Sequence, residues 1–215
     1  MERRALQGIT EPRLLLDRGL DELGLPATAP QREALVDLAR LVDRWGARMN
    51  LTGHRGLLEI VQGLVLSSAA LVAQLPEIES LADLGSGAGF PGLPAAILRP
   101  SCRVTLVEAR MKRHHFQRAA CRALGLGNAT AIRGRAEELE PSPHAAVVAQ
   151  AVARADAALA LMIPWIAAGG LAILPGGPDP PRATHPRASR ERVIRYRIPC
   201  GGPERTLRVA QVRVG

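Results

Sequence analysis

Apolar residues in the first third of the chain recur at helical spacing. Leu14, Leu15, Leu16, Leu20 and Leu23 mark an amphipathic helix that should stop near Gly24 and Pro26. Thr28-Ala-Pro30-Gln31 then has the form of a capping box with proline in the first turn. Beyond it, Leu35, Leu38, Val42, Trp45 and Met49 fall on one face of a second helix, and a third is expected over residues 57–75. From Leu81 the rhythm changes to strand, turn and helix in alternation. Strands are predicted at 81–84, 104–107, 129–132, 145–149 and 171–174, and helices at 93–98, 111–124 and 155–168. Short apolar strands separated by helices indicate a mostly parallel sheet covered on both faces.

Gly169-Gly170 is expected to turn the last helix into its strand, and the Pro- and Gly-rich residues 175–186 should form a loop. Residues 193–198 and 206–214 then suit a closing antiparallel pair joined through Gly201-Gly202-Pro203. The expected organisation is an N-terminal helical cap over 1–76 and an α/β core over 77–215, forming one compact unit.

Composition sharpens this picture. Hydrophobic residues make up 47% of the chain but aromatics only 2%, so the core must be built from aliphatic side chains. That suits helices packed on a parallel sheet better than an aromatic-rich sandwich. Of 28 basic residues Lys112 is the single lysine, and residues 175–215 hold nine arginines against Asp179, Glu191 and Glu204. GC-rich codons account for arginine over lysine but not for the net charge of +8, which is compatible with a nucleic-acid partner. Cys102, Cys121 and Cys200 are odd in number and widely spaced, which indicates neither a disulfide framework nor a metal site. The N-terminal residues lack the apolar run of a signal peptide. The most apolar stretch, residues 155–174, is divided by Asp156 and the glycine pair, so no membrane span is expected. These features predict a soluble cytoplasmic protein.

The chemistry concentrates after the first strand, at Asp83-Leu-Gly85-Ser-Gly87-Ala-Gly89-Phe90-Pro91-Gly92. Glycines lack a Cβ and tolerate positive φ, so such a bend lets backbone approach a ligand closely. The helix after it points amides at the same place. Two cofactors compete for the bend. Gly87-x-Gly89-x-x-Gly92 fits a dinucleotide pattern, weakly on its own. Asp83-x-Gly85-x-Gly87-x-Gly89 fits S-adenosylmethionine, with the acid facing the methionine part directly or through water. A carboxylate offsets the ammonium and sulfonium of the methyl donor and would repel a pyrophosphate, which favours the second frame. Glu108, ending the second strand, is placed to accept ribose hydroxyls in either class. Arg135-Ala136-Glu137-Glu138 follows the third strand, where an adenine edge should lie.

Together these residues resemble the small-subunit (16S) ribosomal RNA methyltransferase G family, also called glucose-inhibited division protein B. Trp45-Gly-Ala-Arg48-Met-Asn50-Leu51-Thr52 looks like its W-N-x-x-x-N-L-T element, and the glycine bend with Leu93-Pro94 is close to its glycine loop. Val104 to Glu108, Lys112-Arg113 with Phe116, and Gly134 to Glu138 continue the match in order. The resemblance implies a Rossmann-like class I methyltransferase that uses S-adenosylmethionine to methylate N7 of a guanine in 16S rRNA. By position it implies that Gly85, Phe90, Ala136 and Glu137 line the cofactor pocket. Gln150 stands where the family has the arginine of an S-R-A element, with Arg154 one helical turn on. Gly63-Leu-Val-Leu-Ser-Ser68 replaces an R-H-x-x-D-S element, and Pro175-Gly176 replaces a lysine-glycine pair.

Guanine N7 has a free lone pair at neutral pH, so positioning suffices and no general base is demanded. Accordingly no residue is singled out as catalytic. Arg110, Lys112 and Arg113 are candidates for phosphate contact, and His114 and His115 are expected at the surface of a basic turn. The expected partner is ribosomal RNA or the small ribosomal subunit, with the protein acting as a monomer. Three alternatives stay open: a diverged relative with altered substrate or lost activity, an NAD(P)-dependent oxidoreductase, and a non-catalytic RNA-binding module.

Overall fold

A computed structural model describes residues 10–150, 155–178 and 183–213. The first helix, α1 (Pro12–Glu22), buries Leu15, Leu16 and Leu20, as the leucine spacing requires. In α2 (Ala29–Gly46), Thr28 and Gln31 form the expected capping box, which satisfies two otherwise unpaired N-terminal amides. Gln31 also donates to the carbonyl of Ile97 at 2.9 Å, tying the cap to the core.

The third helix is not continuous. It runs as α3 (Leu57–Ile60), a π-helical stretch Val61–Leu66, and α4 (Ser67–Val72). It therefore ends three residues before the expected limit. The π-helical stretch contains Gly63, against whose α-carbon the His54 ring packs: a Cβ there would lie 2.3 Å from His54 Nε2. No side chain larger than hydrogen fits at this position while His54 holds it.

The sheet has seven strands: β1 (Ser80–Leu84), β2 (Arg103–Glu108), β3 (Ala129–Arg133), β4 (His144–Ala149), β5 (Ile166–Gly176), β6 (Ala188–Arg197) and β7 (Glu204–Val212). Their order is β3-β2-β1-β4-β5-β7-β6. The first five are mutually parallel, and β7 pairs antiparallel with both β5 and β6; β6 and β7 form the expected closing pair, with β6 starting five residues earlier than expected, and the pairing of β7 with β5 was not foreseen. The remaining helices are α5 (Gly92–Leu98), α6 (Met111–Ala123) and α7 (Ala155–Met162). One core cluster joins Leu15, Leu35 and Leu66 of the cap to Leu93, Leu106 and Phe116. The other covers the opposite face with Leu159, Met162 and Trp165 against Leu84, Val147 and Ala172. The change of architecture near residue 77 is thus not a break in the core.

Three expectations need correction. The helix predicted over 155–168 stops at Met162, passes through a 3-10 turn at Ile163–Trp165 and becomes strand at Ile166. Pro164 removes a helical N–H and clashes with the preceding turn, while the Trp165 indole donates to the Ala136 carbonyl at 3.2 Å. Gly169-Gly170 is a bulge within β5 rather than a turn before it, at the register shift between His144 and Ala146 of β4. A Cβ on Gly170 would lie 2.8 Å from the Ala145 carbonyl. Finally, β5 continues into the expected loop, since Pro175 and Gly176 pair with Leu207 and Thr206. Pro175 is tolerated because the ladder to β4 ends at Val148 and Ile173. Among the described residues no helix is long and apolar enough to cross a membrane.

Candidate cofactor and substrate site

Leu84 ends β1 in the buried sheet centre, and the chain then turns through Gly85, Gly87 and Gly89 at φ of 70°, 60° and 82°. Only glycine adopts three such values without strain. Hydrogen bonds close the bend: Ser86 N–H donates to the Val107 carbonyl at 3.0 Å, and Gly89 N–H to the Ser86 carbonyl at 2.8 Å. The glycines differ in surroundings. A Cβ on Gly89 would collide with Leu93 at 2.4 Å, and one on Gly92 with Leu106 at 2.2 Å, so both serve packing. A Cβ on Gly87 would meet nothing closer than 3.9 Å. Gly85 and Gly87 are also the accessible members of the set.

Asp83 turns inward beneath the bend. It is 1% exposed, and its Oδ2 accepts from Ser86 Oγ at 2.8 Å and from Gly92 N–H at 2.9 Å. The carboxylate therefore fastens the bend to the start of α5 and sets a negative charge beneath it. Burial pushes its pKa up to about 6, the two hydrogen bonds oppose the rise, and the Glu108 charge adds to it. Glu108 lies across the bend. Its Oε2 accepts from Gly87 N–H at 2.9 Å and its Oε1 from Arg110 N–H at 2.7 Å. Each oxygen keeps a lone pair for a further donor.

Ala136 is buried in the turn after β3, next to the Gly134 N–H that donates to the Glu108 carbonyl at 3.2 Å. Glu137 faces outward, 3.8 Å from Arg135. Phe90 is half-buried against the first core cluster. Gln150, at the end of β4, is exposed. The bend thus gathers Asp83, Gly85, Gly87 and Glu108 at its centre. Ala136 and Glu137 lie toward β3, and Gln150 lies on the far side beyond β1.

Two cavities flank the bend. The first, about 600 Å³, runs between the end of α2 and the start of α6 and is lined by Arg48, Asn50, Arg110, Lys112 and Arg113. It brings the Trp45–Thr52 stretch against the Lys112-Arg113 stretch, with Trp45 edge-on to Phe116 at 5.6 Å. His115 is exposed at this helix, but His114 is buried, its Nε2 3.3 Å from the Ala131 carbonyl, so its expected surface role does not hold. The second cavity, about 470 Å³, is lined by Ser67, Ser68, Pro91, Gln150, Pro175, Gly176, Tyr196 and Arg205. All three stretches in which the chain departs from the pattern it resembles contribute residues to this one pocket. Arg154 lies outside the described residues.

Comparison with known proteins decides what this arrangement belongs to. The model of the family "rRNA small subunit methyltransferase G" matches residues 31–180. The chain belongs to this family. It is 39% identical over 155 residues to the ribosomal RNA small subunit methyltransferase G of Chromohalobacter salexigens, covering 72% of this chain and 74% of that one. To its namesake from Deinococcus radiodurans it is 36% identical over 214 residues, covering 93% and 84%. Among solved structures, a putative O-methyltransferase from Klebsiella pneumoniae superposes with a TM-score of 0.56 over 91% of this chain and 94% of that one, at 16% identity. TYW2 of M. jannaschii, in complex with AdoMet, gives 0.55 over 71% and 77%, at 14% identity. These neighbours support the class I methyltransferase fold of this rRNA methyltransferase G family member.

Tyr196 and Arg205, register partners on β6 and β7, were not found from sequence. They lie more than 100 residues from the glycine bend in the chain, and only the antiparallel closure brings them to its flank. Burial pushes the Tyr196 phenol up to about 12.

Proposed function

We propose that this protein transfers a methyl group from S-adenosylmethionine to a guanine N7 of 16S ribosomal RNA. The carrying observation is the bend between Asp83 and Glu108, loosely packed on its Gly87 side and backed by two carboxylates. Those charges suit a ligand that is cationic at one end and carries a ribose, and they disfavour a pyrophosphate. When bound, the cofactor supplies a methyl group on a sulfonium. Gly85 and Gly87 admit it to the backbone, and Glu108 holds the ribose hydroxyls through its spare lone pairs. The backbone of Ala136 and Glu137 edges the adenine, and Phe90 and Gln150 border the methionine end.

The target base enters the pocket between Gln150, Tyr196 and Arg205, next to Pro91 at the end of the bend. Guanine O6 adjoins N7, so Arg205 and Gln150 are suited to orient the base by donating to it. N7 attacks with its own lone pair, and a phenol held protonated at Tyr196 fits a site that needs no base. On this reading the protein acts as a monomer on cytoplasmic ribosomal RNA or the small ribosomal subunit. The test is mass spectrometry of 16S rRNA from a strain lacking the gene. One N7-methylguanine should vanish and return on complementation; persistence of every N7-methylguanine would sink the reading. A second reading, a changed target nucleotide, is favoured by the convergence of three departures on one pocket, and loss of a different methylated base in the same spectrum would establish it.

A further inference from the structure

The outermost strand of the sheet, β6, pairs only with β7 among the described strands, so one row of its backbone N–H and C=O groups faces outward. Along it stand Arg190, Arg192, Arg195 and Arg197, all exposed. Its one acid, Glu191, is paired with Arg208, and among the described residues the ion-pair partner of Arg197 is Glu204, at 3.9 Å. A bulge at Arg190 and Glu191 shifts the register between Ser189 and Arg192, with Arg190 at φ 48°. After the bulge the side chains alternate. Arg192 shares a face with Ile194 and Tyr196, while Arg195 and Arg197 take the other, so cations flank the open edge on both sides.

Charge on an edge strand also guards against pairing with other chains. That purpose is met by one or two side chains of either sign, and four like charges repel one another. Position supplies the further reason. Tyr196 lies within this strand and lines the substrate pocket together with its register partner Arg205, so the arginine row starts at the pocket's mouth. Arg195 and Arg197 are two residues apart on one face, roughly 7 Å, a spacing comparable to that of successive phosphates along a strand.

We propose that the arginine-lined edge of β6 is the track on which the RNA phosphodiester backbone flanking the target base lies. This rests on the methyl-transfer reading, and the test separates the two. Wild type, Arg192→Glu/Arg195→Glu, and an equal change of charge on α6, Arg118→Glu/Arg122→Glu, are compared. S-adenosylhomocysteine affinity and thermal midpoint are measured first, then binding to in vitro transcribed 16S rRNA across a salt series. The β6 variant should keep its cofactor affinity, bind RNA at least tenfold more weakly at low salt, and flatten the log–log salt slope by about 1.4, about 0.7 for each of the two lost contacts to single-stranded RNA. The α6 variant should lose much less. Equal losses in both variants, or an unchanged slope in the β6 variant, overturn the track while leaving the enzyme reading intact. Wild type that neither binds nor methylates the RNA overturns both.

Discussion

At the scale of single residues, Asp83 carries the sharpest consequence. It is fully buried, and its pKa is pushed up to about 6 against an ordinary 3.8, chiefly because burial disfavours the charged form. The folded chain therefore holds this proton more tightly than the unfolded chain. Stability at this site is highest below pH 4, falls as pH rises from about 4 to about 6, and stays low above that. The shift amounts to about 3 kcal/mol. Asp83→Asn keeps an acceptor for Ser86 and Gly92 without the charge, so urea unfolding should show the variant gaining on wild type by about that amount between pH 4 and 7. A difference that stays flat across this range would mean that the carboxylate does not titrate where its burial says. A cationic ligand above the bend favours the charged form and lowers the bound-state pKa, so S-adenosylmethionine, with its sulfonium, should bind wild type more tightly at pH 7.5 than at pH 5. The sequence disclosed that an acid ends this strand beside a glycine bend. It did not disclose that the side chain turns inward, because strand period specifies a face and not a hydrogen-bond partner.

At the scale of elements, the glycine bend and its helix separate two jobs that the spacing alone could not. A Cβ on Gly87 would meet only ordinary contacts at 3.9 Å, whereas Gly89 is packed under Leu93. Gly87→Ala should cost about 1 kcal/mol through its positive φ, yet weaken S-adenosylhomocysteine binding by tenfold or more. Gly89→Ala adds a collision to the same backbone penalty, so its loss should fall mainly on the melting midpoint. Calorimetric titration beside thermal unfolding checks the split, and the reverse order would place the ligand on the other side of the bend. Elements whose periodicity is strong were legible, as α1, α2 and the first four strands show. The end of α7 was marked locally by Pro164, but the course of β5 was not, because the bulge at Gly169-Gly170 is decided by strand β4, which is tertiary. The π-helical stretch was equally hidden: within it Gly63 packs against His54 from a loop nine residues earlier, a contact no periodicity shows.

At the scale of the whole molecule, cap and sheet share one core, and the site depends on that union. Ser67 and Ser68 of the cap line the pocket with Gln150 from β4 and Arg205 from β7, a convergence that no local pattern contains. Trp45 at the end of α2 meets Phe116 of α6 edge-on, and Phe116 is wholly buried beneath the sheet's first helical layer. If the cap were an independent appendage, removing this contact would loosen it alone. With a shared core, Trp45→Ala instead lowers the stability of the entire chain. Half-burial of the indole puts the cost at about 2 kcal/mol, below the range for a fully buried ring, and a chain of this size then melts about 4–8 °C lower. Calorimetry of the variant should show a single transition displaced as a whole, and a Trp45→Ala/Phe116→Ala cycle should return a coupling of about 1 kcal/mol. Two transitions, of which only the earlier one moves, would mean that the cap unfolds by itself. The serines it contributes would then belong to a wall that opens separately from the bend, and the pocket would have to be understood as formed by closure rather than built into the fold.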